Sequence, residues 1–118
     1  MSGAGAPGQA LLPGEVIWVA PEIAVGREQA GRRPALVVAG AAYLDAVDTL
    51  APVVPITSVD RGWPNHVEVV GSDLEQRSWA MSEQVRTISR ERIVDRAGRA
   101  DPATLAAVRG WLADFLEL

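Results

Sequence analysis

Apolar residues in this chain fall into short blocks separated by Gly, Pro and charged residues, and only one stretch, near the C-terminus, keeps a helical period. Gly14-Glu15-Val16-Ile17-Trp18-Val19, bounded by Pro13 and Pro21, predicts a first strand. Pro34 to Ala39 and Leu50 to Ile56 are unbroken apolar runs of strand length, the pattern of strands covered on both faces. Between them, residues 41–49 are expected as a connection in which Tyr43 and Leu44 can pack while Asp45 and Asp48 face water. His66-Val67-Glu68-Val69-Val70 alternates cleanly after the turn Gly62-Trp63-Pro64-Asn65 and predicts a half-buried strand. Ala80 to Ile88 is expected as one further strand, with Met81, Val85 and Ile88 as its apolar members. Ser89 to Arg92 reads as a turn or one helical cycle, and Ile93-Val94 opens a last strand ending at Gly98.

The helical stretch starts at Asp101-Pro102, where Asp can cap free amides and Pro suits the first helical position. Leu105, Val108, Leu112 and Leu116 then recur at helical spacing beside Trp111 and Phe115, which predicts one buried face. Gly110 within it costs about 1 kcal/mol against Ala and suggests close packing on another element. Five or six short strands closed by one C-terminal helix predict a mainly β fold with helices (α+β), a small β-barrel of the SH3-like type. Residues 1–12, small and Gly-rich at the start, are expected as a disordered tail and 13–118 as a single domain, since 118 residues support one modest core.

Composition narrows the chemistry. The first ten residues have neither a basic start nor an apolar run, so they do not read as a signal peptide, and no apolar run approaches the ~20 residues of a membrane span. A cytoplasmic protein with no membrane contact is expected. With no cysteine there are no disulfides, thiolate zinc sites or Cys nucleophiles. His66 is the only histidine and cannot alone supply the paired acid and base of many metal-free ribonucleases; on its strand it is expected to pack or bond locally. All eleven basic residues are arginine, against fifteen carboxylates, for a net charge of −4. That is the wrong sign for non-specific duplex binding, but arginines gathered on one face still hold nucleic acid. Arg27, Arg32 and Arg33 lie together, and Arg86, Arg90, Arg92, Arg96 and Arg99 follow one another in the second half.

Three segments carry a family likeness. Gly26-Arg27-Glu28-Gln29-Ala30-Gly31-Arg32-Arg33-Pro34-Ala35-Leu36-Val37-Val38 resembles the G-S-E-Q-x-G-x-R-P-(A/V)-(L/V)-V-(L/V) segment of MazF/PemK toxins. Val54-Pro55-Ile56-Thr57-Ser58 is similar to their V-P-(I/V/C)-T-(S/T), and Glu83-Gln84-Val85-Arg86-Thr87-Ile88 to (E/D)-Q-(I/V)-(K/R)-(S/T)-I. The three stand in the family's order, and the likeness runs from about Gly14 to the C-terminal helix. Departures are Arg27, usually Ser, and Arg77-Ser78, commonly Asp-Ser.

The resemblance implies the CcdB/PemK type of barrel, a homodimer, and a toxin of a type II toxin–antitoxin system that inhibits growth by cutting single-stranded RNA without metal or cofactor. Its cuts would leave a 2′,3′-cyclic phosphate and a 5′-hydroxyl. A short acidic MazE-like antitoxin is the implied protein partner. The family's essential arginine and threonine carry over to Arg33 and Thr57, and its loop residues to Glu28 and Gln29. Glu83, Gln84 and Arg86 match positions on the groove wall, and Arg27 and Ser58 join the expected RNA-binding set.

The chemistry of these residue types fits that role. Attack by a ribose 2′-hydroxyl builds negative charge on phosphate oxygens, and a planar guanidinium grips two of them at once. Pro34 biases Arg33 toward extended backbone. Thr57 either donates its hydroxyl to phosphate or bonds its own backbone. The proton acceptor is either Glu28 or water held by Arg33. Trp63, in an exposed turn, is the tryptophan best placed for a base or a partner, whereas Trp18 and Trp111 read as core or dimer contacts. The competing reading is a non-catalytic toxin of the same barrel that poisons a protein such as DNA gyrase. Against it stand the Arg33 and Thr57 pair and an ending, Phe115-Leu116-Glu117-Leu118, unlike the Trp-Gly-Ile tail of gyrase poisons.

Overall fold

The computed structural model describes residues 10–21 and 31–118. Seven antiparallel strands form one curved sheet: β1 (Glu15–Val19), β2 (Arg33–Val37), β3 (Leu50–Thr57), β4 (His66–Glu68), β5 (Trp79–Met81), β6 (Arg86–Ser89) and β7 (Ile93–Arg99). Helix α1 (Ala41–Ala46) joins β2 to β3, and α2 (Pro102–Leu116) follows β7. Strand order is β4-β5-β3-β2-β1-β7, with β6 also paired to β3, so the expected barrel is an open one.

β3 organises the sheet. It pairs β2 on one edge, while its first half, Leu50 to Val53, pairs β6 and its end, Ile56 and Thr57, pairs β5. From Val53 to Ile56 is three steps along β3, yet from Ala80 to Arg86 is six. The surplus is taken up by a 3-10 turn at Ser82–Gln84, which is why the single strand expected over Ala80 to Ile88 is two strands instead. β4 stops at Glu68, short of the predicted Val70.

The continuous apolar runs are explained by two cores, one on each face. Ile17, Val19, Ala35, Val37, Ala51 and Val53 meet Leu44 of α1 on the first face. Val16, Leu36, Val54, Ile56 and Ala80 meet Leu105 and Val108 of α2 on the second. Leu11 belongs to the first core and the Leu12 amide donates to Glu15 Oε1 at 3.1 Å, so packed chain begins ahead of the expected boundary at Pro13.

Helix α2 departs from its predicted amphipathic face. Leu105 and Val108 are buried and Leu112 half-buried, but Leu116 is exposed because the helix runs past the second core. Gly110 faces open space, not a close neighbour. Asp101 stands at the N-cap without a side-chain cap bond. Its carboxylate lies against Gly71 instead. No helix among the described residues is long and apolar enough to cross a membrane.

Candidate active site

Strand ends converge at one mouth of the curved sheet. Val19 is opposite Arg33, and Ala35, two residues on from Arg33, is opposite Pro55, two residues before Thr57. Directly opposed residues project from the same face, and every second residue along a strand returns to it. Arg33 and Thr57 therefore share the face of Val37 and Val53, that of the first core. Arg86, opposite Val53, joins them. All three line a groove of about 840 Å³, together with Ser58 and Met81. Its lining carries Arg32, Arg33, Arg86 and Arg92 against Asp73 and Glu75, an excess of two positive charges in an otherwise acidic protein.

The Arg33 side chain is exposed and forms no hydrogen bond or ion pair with any described residue, while its backbone pairs with Val19. A guanidinium so exposed suits an anion. Among the described residues the Arg86 side chain makes only long contacts to Gln84, at 3.5 and 3.4 Å. Thr57 Oγ1 accepts a hydrogen bond from the Val59 amide at 3.1 Å, the local turn foreseen as one of its two options. That bond uses a lone pair and leaves the hydroxyl proton free to donate.

Glu83, Gln84 and Trp63 do not line this groove; they form an adjoining cluster. His66 is buried, and its Nε2 lies 3.1 Å from Glu83 Oε2, while Asn65 Nδ2 donates to Glu83 Oε1 at 2.7 Å. Burial pushes the Glu83 carboxyl up, but hydrogen bonds from His66, its own amide and Gln84, with the nearby His66 ring, outweigh it and hold the group below its ordinary range. His66 thus bonds locally, as expected. Trp63 covers it, ring centroids 4.7 Å apart. Arg77, the departure from the family pattern, forms two hydrogen bonds to Glu68, at 2.8 and 3.0 Å, and holds that carboxyl below its ordinary range.

The run of arginines in the second half is not one binding surface. Arg90 is buried and donates to the carbonyls of Leu44, Val47 and Leu50. Arg92 bonds Ala20 O, Arg96 bonds Ala10 O and Glu15, Arg99 bonds Pro13 O, and Arg109 bonds Val38 and Ala39 O. These side chains tie loops to strands. Arg61, beside Trp63, was not singled out from sequence; its only signal is its position in the same turn. Trp18 is half-buried under Arg32 at 4.6 Å, and Trp111 lies 6.0 Å from Phe115. Arg27, Glu28 and Gln29 lie outside the described residues.

Residues 12–116 match the family described as PemK-like, MazF-like toxin of type II toxin-antitoxin system. The chain belongs to the PemK/MazF toxin family. It is 34% identical over 97 residues to the endoribonuclease toxin MazF of Escherichia coli strain K12, covering 81% of this chain and 85% of that one. Among solved structures, MazF in a MazE-MazF crystal from Deinococcus radiodurans aligns with a TM-score of 0.76 at 32% identity, over 93% of this chain and 98% of that one. MazF crystallised from the same organism without MazE in its description aligns at 0.74 and 31%, over 93% and 99%. The open, helix-capped sheet is thus the MazF fold.

Proposed function

We propose that this MazF-family toxin is a sequence-specific endoribonuclease that cuts single-stranded RNA with side chains alone, without a metal ion. The observation that carries the reading is that Arg33 and Thr57, at the ends of neighbouring strands, both line one positively charged groove. A ribose 2′-oxygen attacks the adjacent phosphorus, the bond to the 5′-oxygen breaks, and the ends are a 2′,3′-cyclic phosphate and a 5′-hydroxyl. The proton lost from the 2′-hydroxyl goes to Glu28 or to water beside Arg33, and a proton is delivered to the departing 5′-oxygen.

Arg33 stabilises the charge that grows on the non-bridging oxygens, where a preorganised cation in a partly desolvated site is worth several kcal/mol of barrier. Thr57 donates its free hydroxyl proton to the same phosphate. Arg86 and Ser58 hold the strand along the groove, and Arg27, Gln29, Glu83, Gln84 and Trp63 contribute base and backbone contacts. The working unit is a homodimer in the cytoplasm, restrained by a MazE-like antitoxin that occupies the RNA groove.

The test is incubation of the purified chain with a long mixed-sequence RNA in EDTA, followed by mapping of the cut ends. Cuts at a recurring short motif, with ends that ligate only after removal of a cyclic phosphate, support the reading. Intact RNA at high protein concentration refutes it and favours a toxin that binds a protein target.

A further inference from the structure

We propose that Trp63 is a base-stacking subsite of the RNA groove, built to take one nucleobase within a few nucleotides of the cleaved bond; this rests on the RNA-cutting function proposed above. Trp63 is half exposed, yet its inner side is braced. It lies on the His66 imidazole at 4.7 Å with the planes tilted by 50°. His66 is fixed through Nε2 to Glu83, and Glu83 also binds Asn65 of the same turn as Trp63. Gly62, at φ +73°, and the bond from its amide to Asp60 Oδ1 at 3.0 Å shape the turn that presents the ring. A large side chain already held in place loses little freedom when a ligand stacks on it.

Register joins this ring to the groove. Thr57 is opposite Trp79, Met81 lies two residues along β5, and His66 is opposite Met81. All four therefore project from one face, and Met81 lines the groove that Thr57 closes. Two strand spacings and two residues of rise put the His66 backbone roughly 12 Å from that of Thr57. An RNA strand bound at Thr57 reaches Trp63 without changing face.

The charges around the ring favour a base as its occupant. Arg61 has its guanidinium 5.9 Å from the indole centroid, placed for a flanking phosphate. Asp60 and the carboxylate of Glu83 border the same turn and disfavour a phosphate over the ring itself. A flat, uncharged nucleobase suits the exposed face, because every base offers a π-surface to an aromatic ring.

The experiment is an abasic scan of binding. Oligonucleotides with an all-2′-deoxy backbone, which cannot be cleaved by 2′-oxygen attack, carry one abasic position each, and their affinities are measured by fluorescence anisotropy for wild type, Trp63→Ala and Trp63→Phe. In wild type, one position is expected to weaken binding by about 5- to 150-fold when its base is removed. Trp63→Ala should erase the penalty at that position alone, and Trp63→Phe should keep most of it. If every abasic penalty survives in Trp63→Ala, or if no position is sensitive in wild type, the subsite is refuted. A uniform loss of affinity accompanied by altered sedimentation would assign the ring to contact between copies, which also overturns it. Because binding is read without cleavage, a protein that binds these strands but leaves RNA intact would fail the cutting function and not the subsite.

Discussion

Arg90 offers the sharpest test of how the frame behind the site is held. Its guanidinium is buried and donates to three main-chain oxygens: Leu44 O at 2.6 Å, Leu50 O at 3.0 Å and Val47 O at 3.1 Å. Among the described residues no carboxylate is a partner, and the side chain works as a clamp on the end of α1 and the start of β3. Hydrogen bonds from a charged donor contribute about 1.5–3 kcal/mol each, but part of that is offset by the cost of taking the guanidinium out of water. Replacement by Met leaves three carbonyls short of a partner in a site of similar volume. The net expected for Arg90→Met is about 3 kcal/mol, a factor on the order of 100 in the folding equilibrium. With a urea slope of about 1–3 kcal/mol/M, the midpoint should fall by roughly 1–3 M at fixed protein concentration. Lys places one point donor where a fork is needed and should restore less than half of the loss. RNA cutting per folded molecule should be unchanged. A midpoint within 0.3 M of wild type (a roughly chosen limit), or activity lost without stability, would refute the clamp.

Other outcomes follow from the same geometry. Arg33→Ala should cut RNA about 100- to 1000-fold more slowly with an unchanged melting temperature, since it removes a charge that bonds no described residue; Thr57→Val should act in the same direction. Gly98 has φ +79°, and a methyl there would meet Asp73 Cγ at 2.9 Å and its amide nitrogen at 3.1 Å, so Gly98→Ala should lose about 2 kcal/mol or more in urea unfolding. The Glu83 carboxyl is held below its ordinary value near 4.5, so its link to His66 and Asn65 stabilises the fold above that pH and fades as pH falls through the lowered value. The stability gap between wild type and Glu83→Gln should be full at about pH 6 and shrink as pH falls through the lowered value; a gap that widens on acidification would contradict this sign.

Several features were legible in the sequence because they are local. The apolar runs at Pro34 to Ala39 and Leu50 to Ile56 are continuous because each strand has a core on both faces, which periodicity reads directly. The break at Ser82–Gln84 was not, since it answers to a three-residue shift in pairing with β3, a strand some thirty residues earlier. The arginines show the same limit. Residue type cannot say whether a guanidinium faces solvent, as Arg33 does, or backbone carbonyls, as Arg90 does, because the carbonyls come from segments 40 to 46 residues away. The motif match singled out Arg33 and Thr57, but their meeting in one groove depends on the pairing of β2 with β3.

Strand β1 is bracketed by β2 on one side and β7 on the other, with Glu15 opposite Arg99. The early segment that borders Arg33 is thus left with an unpaired edge until Ile93–Arg99 has joined it. A polypeptide cut short before Ile93 lacks the strand that completes the sheet beside β1.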